Sequence, residues 1–147
     1  MSLRIEHRLG VKATADQIWA LLEDLPAWPS WNPMYPQAKG RIGFGELLTL
    51  TEALPGGEPR ALTPRVSTWT PREQIVWVEK RGLMANSIRY FEIDELSPEG
   101  GCIFANGEIF SGWLGERYAK RHGRALKEQY EAVCEALRAR VEGCEAP

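Results

Sequence analysis

One uninterrupted helical period near the C-terminus constrains this chain more than any other feature. Leu126, Tyr130, Val133, Leu137 and Val141 follow one another at spacings of four, three, four and four, one apolar stripe in a run from Glu116 to Val141 that contains no Pro. At ~1.5 Å of rise per residue such a helix is about 39 Å long, more than a small helical bundle of this size needs. A broad surface has to cover the stripe, and the upstream sequence offers strands. The expectation is a curved antiparallel sheet wrapped around this helix.

Leu3, Ile5, His7, Leu9 and Val11 alternate with polar neighbours, the period of a half-buried strand. Thr14-Ala15-Asp16-Gln17 has the form of a capping box and starts a helix whose buried face is Ile18, Leu21, Leu22 and Leu25, ended by Pro26. In Ala27-Trp28-Pro29-Ser30-Trp31-Asn32-Pro33, a short second helical turn opening near Pro29 fits, with Trp28 and Trp31 as a plug for the core or the wall of a cavity. From Tyr35 to Gly112 the spacing predicts six strands, near 35–42, 46–53, 61–69, 74–81, 86–96 and 101–111. The breaks between them are Gly43-Phe44-Gly45, Pro55-Gly56-Gly57, Pro71-Arg72, Gly82 and Pro98-Glu99-Gly100-Gly101. Gly43-x-Gly45 reads as a hairpin turn, because no third Gly and no helix follow as a phosphate loop requires. The order of strand, two helices, six strands and a long helix is α+β, in one domain over 1–147.

A formal charge of −2 and a pI near 5.8 give no basic footprint for nucleic acid. Cys102, Cys134 and Cys144 are odd in number and lack C-x-x-C spacing, which points to reduced thiols and against a disulfide framework or zinc site. No signal-peptide run and no membrane-length apolar run is present, so a cytoplasmic protein without a membrane span is expected.

Val11-Lys12-Ala13-Thr14-Ala15-Asp16-Gln17-Ile18-Trp19-Ala20-Leu21-Leu22-Glu23-Asp24, followed by Trp31-Asn32-Pro33, resembles the opening signature of the polyketide cyclase/dehydrase branch of the START-like, or SRPBCC, superfamily. Val66-Ser67-Thr68-Trp69-Thr70-Pro71 leading into Ile75-Val76-Trp77, and Gly107-Glu108-Ile109-Phe110-Ser111-Gly112 before the final helix, agree with it. The resemblance implies a helix-grip fold, in which a seven-stranded antiparallel sheet grips the C-terminal helix and leaves a deep apolar cavity. It does not imply one activity, since that superfamily spans lipid carriers, hormone receptors, polyketide cyclases and ring hydroxylase subunits.

Polar groups on the concave face matter most, because burial costs several kcal/mol unless they find partners. Alternation puts Phe104, Asn106, Glu108 and Phe110 on one side of the last strand, taken as inward, with Gly107 outside. Ile75, Trp77 and Glu79 share a face, as do Arg89, Phe91 and Ile93. Arg89 and Glu108 then form a candidate pair beside Asn106, with Glu108 as a general acid or base or simply as the ion-pair partner of Arg89, Trp77 as an apolar wall and Glu79 read as solvated; the alternative puts both charges on the solvated convex face as a weak surface pair. His122, four residues before Leu126, is a further candidate acid or base, with Tyr118 one turn earlier and Gln129 near the same side. Trp28, Trp31, Tyr90, Phe91, Phe104 and Phe110 complete the expected ligand wall. His7 reads as a satisfied core or edge residue, and Arg117, Lys120, Arg121, Arg124 and Lys127 as a solvated basic face or an anion-attracting rim. With no G-x-S-x-G elbow, no Cys–His pattern and two distant His, no nucleophile, metal or cofactor is expected.

Three functions fit these residues. The foremost is binding of a small, mostly apolar or amphipathic molecule, lipid- or polyketide-like, between sheet and helix. The second is proton-transfer chemistry such as aldol cyclisation or dehydration by Glu108, Arg89 or His122. The third is a non-catalytic interaction module.

Overall fold

The structure, a computed structural model, describes residues 2–81 and 86–143. Strand β1 (Ser2–Val11) leads into helix α1 (Ala15–Glu23), whose N-cap Thr14 accepts from Gln17 N while the Gln17 side chain accepts from Thr14 N, the expected capping box. A 3-10 helix, Leu25–Ser30, follows directly. It opens on Leu25 with Pro26 second and contains Pro29, about one turn earlier than the expected opening at Pro29, because Pro26 both prevents α1 from continuing and suits the first turn of a helix.

Strands β2 (Gln37–Lys39), β3 (Thr49–Glu52) and β4 (Arg60–Leu62) form one antiparallel sheet in that order. Strands β5 (Val66–Thr70), β6 (Gln74–Lys80), β7 (Asn86–Glu95) and β8 (Cys102–Ser111) join β1 in a second, ordered β1-β8-β7-β6-β5. The α+β, helix-grip class is therefore as read from the sequence, but the described strands number eight, in two sheets of three and five, where one seven-stranded sheet was expected. The strand expected over 61–69 is divided at Thr63-Pro64, since Pro64 has no N–H for a ladder. Hydrogen bonds Leu48 N→Pro64 O (2.8 Å) and Val66 N→Glu46 O (2.9 Å) tie the sheets across that break. The turn expected at Gly82 lies outside the described residues, as does Cys144.

Helix α2 runs from Gly112 to Val141, starting four residues before the expected Glu116. Gly112 takes a positive φ of 73° where the chain turns out of β8, a conformation that costs a glycine little. Leu126, Tyr130, Val133 and Leu137 are fully buried against the sheet, and Val141 packs at the margin. No described helix is long and apolar enough to cross a membrane.

Cross-strand register settles the faces. Trp77, Arg89, Glu108 and Ile5 form one row across β6, β7, β8 and β1; Glu79, Ser87, Phe110 and Leu3 form the next. Both rows face α2. Gly107 lies on the outer face as expected, where an added Cβ would come within 2.4 Å of Ile5 O.

Candidate functional site

The inward rows bring a set of charged groups into the interior where the sheet meets α2. Glu52 ends β3, Glu79 lies near the end of β6, and Arg81 follows two residues later with the same inward parity. Arg81 holds two carboxylates at once: Nη1 and Nη2 donate to Glu52 at 2.9 and 2.7 Å, and Nε and Nη2 donate to Glu108 at 2.6 and 3.0 Å. Arg60, half-buried on β4, donates to Glu52 (3.1 Å) and Glu79 (2.5 Å). Trp77 Nε1 donates to the other Glu79 oxygen at 2.6 Å. Glu108 also accepts from the hydroxyls of Ser87 and of Tyr130, which descends from α2. Three carboxylates and two guanidinium groups are thus closed into one network in which only Arg60 retains appreciable exposure.

Burial pushes the Glu52 carboxyl up, but the Arg81 and Arg60 charges outweigh this and hold it below its ordinary value. Glu79 goes the other way: burial dominates, Glu108 and Glu52 repel its charge, and its pKa is raised despite Arg81 and Arg60. The extra carboxylate of the network therefore has a ready means of neutralisation. Burial also drives the Tyr130 phenol well up, and the neighbouring Glu108 adds to it, so the hydroxyl remains a donor.

Arg89 is fully buried beside this network, yet the expected direct pairing with Glu108 is not formed among the described residues. Its donors are taken by Tyr35 Oη (2.9 Å), Asn106 Oδ1 (3.0 Å) and the carbonyls of Tyr90 and Gly107 (both 3.1 Å). Its guanidinium carbon lies 4.4 Å from the Phe91 ring centroid and 4.8 Å from that of Tyr130, so aromatic faces stand where a carboxylate was expected. Arg81 satisfies Glu108 instead, because it enters from the end of β6 with its fork facing both Glu52 and Glu108. Glu79, read as solvated, is likewise buried, since its strand parity continues that of Trp77.

Trp28, Trp77, Phe91, Phe104, Phe110 and Asn106 are all in the interior. Asn106 Nδ2 donates to Tyr130 O and Cys134 Sγ, fastening β8 to α2, and Trp28 packs at a tilt against Tyr35 and Phe91 while donating to Leu22 O at 2.9 Å. Tyr118 and His122 form a half-buried pair 4.3 Å apart at the margin: Tyr118 accepts from Arg81 and stacks on Phe110. Burial, then Arg121 and Arg81, keep the His122 pKa low, and no hydrogen bond joins it to Glu108 among the described residues. Gln129 bridges to Ala53 O (2.6 Å) and Pro33 O (3.3 Å), a brace between α2 and two loops. Tyr90 is a correction: alternation opposite Arg89 puts it on the outer face, where it donates to Glu6 under the Arg4 guanidinium. His7 faces α2, with its Nδ1 3.8 Å from a Glu131 carboxylate oxygen.

Trp31 and Asn32 add a feature of a different kind. Trp31 Nε1 and Asn32 Nδ2 are buried donors with no partner among the described protein groups. They precede Met34 and Tyr35, which pack on Arg89. Sequence reading missed Arg81, Glu52, Ser87 and Tyr35. For Arg81 and Glu52 a signal existed, the inward parity continued by two residues from Glu79 and from Leu50. Among the described residues no cluster of His, Cys, Asp and Glu is arranged to hold a metal ion.

A family model described as polyketide cyclase / dehydrase and lipid transport matches residues 2–142. The chain belongs to that family. Among curated proteins no sequence matches it significantly. Similar solved structures include the Zhui aromatase/cyclase from Streptomyces sp. R1128, at 16% identity over 97% of this chain and 94% of that one, with a TM-score of 0.77. A START superfamily protein from Mycobacterium smegmatis is 22% identical over 96% and 98% of the two chains, with a TM-score of 0.71. Norcoclaurine synthase from Thalictrum flavum is 16% identical over 100% and 90%, also at 0.71. At these identities the likeness establishes the fold alone.

Proposed function

We propose that this protein binds a small, mostly apolar molecule with a polar end, lipid- or polyketide-like, between the sheet and α2. The observation that carries the reading is the complete burial of the Arg81–Glu108 pair with the Tyr130 hydroxyl of α2. Desolvating such a pair often costs more than filling the same volume with apolar side chains, so stability alone does not account for it. The five Arg81 N–H groups and both Glu108 oxygens are taken within the network, so a ligand's hydroxyl or carbonyl engages them by exchanging with those partners, while Trp28, Trp77, Phe91 and Phe104 supply the apolar surround. The orphan donors of Trp31 and Asn32 fit the same reading, since an acceptor oxygen would satisfy them. The family's scope, cyclases and lipid transport proteins together, agrees with a ligand of this class.

Much of the space between sheet and helix is filled by packed aromatic rings, including Trp28, Tyr35, Trp77 and Phe91. A ligand entering there displaces side chains, and binding is coupled to repacking. Thermal shift against fatty acids, sterols and aromatic polyketides tests this, followed by intrinsic fluorescence of the Trp residues. A specific ligand at 100 times its Kd stabilises by about 2.7 kcal/mol, which for a domain of this size is roughly 5–10 °C. No stabilisation by any class, with unchanged Trp emission, refutes the proposal.

A second reading is acid/base catalysis on the bound molecule. It is favoured by Glu108, which two hydroxyls and Arg81 hold in one orientation, as a general acid or base must be. Glu108→Gln abolishes turnover while preserving binding if this reading is right; an unchanged rate removes Glu108 from the chemistry.

A further inference from the structure

The division of the strand at Thr63-Pro64 leaves a recess of about 850 Å³ along the seam between the two sheets, lined by β4, β5, β6 and the Gly43–Leu47 turn. Its β6 wall is made by the outward-facing Val78 and Lys80 together with Glu79, which with Arg60 marks where the recess meets the edge of the buried network. We infer that this seam is a second small-molecule site, for an amphipathic carboxylate whose apolar body lies on Phe44, Leu47 and Val78 and whose anionic end meets Lys80 and Arg65.

The size is that of ordinary ligand sites, which run to about 300–1,000 Å³. The apolar floor is open to solvent to an unusual degree for side chains so close together: Phe44 is 73%, Leu47 52% and Val78 47% exposed. Contiguous exposed apolar surface of this kind marks interaction sites more often than scattered single residues do. Charge then selects the occupant. Three cations, Arg60, Arg65 and Lys80, line the recess against one acid, Glu79, whose carboxylate is already taken by Arg60 and Trp77. The Lys80 ammonium has no hydrogen-bond or ion-pair partner among the described residues, and Arg65 uses only Nη1, on Gly45 O at 2.7 Å. A cationic ligand finds no free carboxylate there, and a neutral one leaves both cations unused. The seam is also structurally pinned. Gly45 N→Val66 O and Val66 N→Glu46 O, both 2.9 Å, hold the turn against β5, and the β5–β6 register shifts between Val66 and Thr68, an irregularity of the sort that recurs beside functional sites.

Isothermal titration calorimetry with dodecanoate on the full chain tests the inference, with dodecan-1-ol and dodecyltrimethylammonium as the neutral and cationic counterparts. The expected result is one dodecanoate per chain, bound at least tenfold more tightly than either counterpart, and at least tenfold weakened by Lys80→Glu and by Val78→Asp. Both positions are exposed, and an unchanged melting temperature confirms that the variants are folded. Equal affinity for the three head groups overturns the inference. So does dodecanoate binding that survives both substitutions but is lost on Trp31→Ala, which places the chain in the interior instead. Dimerisation in size-exclusion chromatography that Val78→Asp abolishes, without any dodecanoate binding, also overturns it and assigns the seam to a second copy of the chain.

Discussion

Replacing Arg81 by Met tests the buried network most directly. Met retains the aliphatic length of the side chain and removes the guanidinium, which makes four hydrogen bonds of 2.6–3.0 Å to Glu52 and Glu108. Removing one partner of a buried ion pair costs about 3–5 kcal/mol, because the remaining charge is left without compensation. Two carboxylates lose their partner here, while Arg60 continues to serve Glu52, so the expected loss lies near the top of that range. For a domain of this size that is roughly a 10–20 °C fall in melting temperature. The pH dependence supplies the second half of the test. In the native protein Glu52 has a depressed pKa, so its stabilising contribution is present at neutral pH and is lost only as pH falls through that lowered value. Glu79, with a raised pKa, contributes oppositely: its share of stability is largest below the ordinary carboxylate range and is lost as pH rises through its folded value. In Arg81→Met, Glu52 loses its main counter-charge and joins Glu79 in gaining from protonation. Urea unfolding at several pH values between 7.5 and 5 is therefore expected to show the gap between native protein and variant narrowing as pH falls. A loss below about 1 kcal/mol at neutral pH, or a gap that stays constant or widens on acidification, refutes the assignment of Arg81 as the keystone of the network.

Two further substitutions probe the scaffold. Leu137→Ala on the buried stripe of α2 leaves a cavity against the sheet and is expected to cost ~2–5 kcal/mol in chemical denaturation; an unshifted midpoint contradicts the packing of α2. Gly107→Ala puts a Cβ within 2.4 Å of Ile5 O, 2.8 Å of Tyr90 Oη and 2.9 Å of Glu6 Cα. Two of those neighbours are backbone atoms of the adjoining strand and cannot swing aside, so a loss of about 3 kcal/mol or more is expected, and a neutral result shows that β1 and β8 can separate there.

Local signals sufficed wherever one residue's environment is set by its neighbours in sequence. The capping box of Thr14 and Gln17, the stop at Pro26 and the apolar stripe of α2 depend on hydrogen bonds and periods within a few residues. The same holds for the faces of the strands, so the inward placement of Trp77, Phe91, Asn106 and Glu108 was legible from alternation. Extending that alternation two residues also reaches Arg81 and Glu52. Which charge meets which was not legible.

Arg89 and Glu108 are cross-strand neighbours in the register, yet Arg89 is claimed by Tyr35 and Asn106, and Glu108 by Arg81, Ser87 and Tyr130. Those partners come from elements 17 to 54 positions away in the chain. Their approach is set by where β6 ends, how α2 lies across the sheet and how the end of β3 brings Glu52 to both. The amino-acid sequence alone determined that a long amphipathic helix would be gripped by antiparallel strands, because hydrophobic period and turn chemistry act locally. Only the tertiary structure decided which arginine neutralises which carboxylate, and that the seam at Pro64 would open, because side-chain pairing inside a core is a competition among groups that the chain brings together from afar.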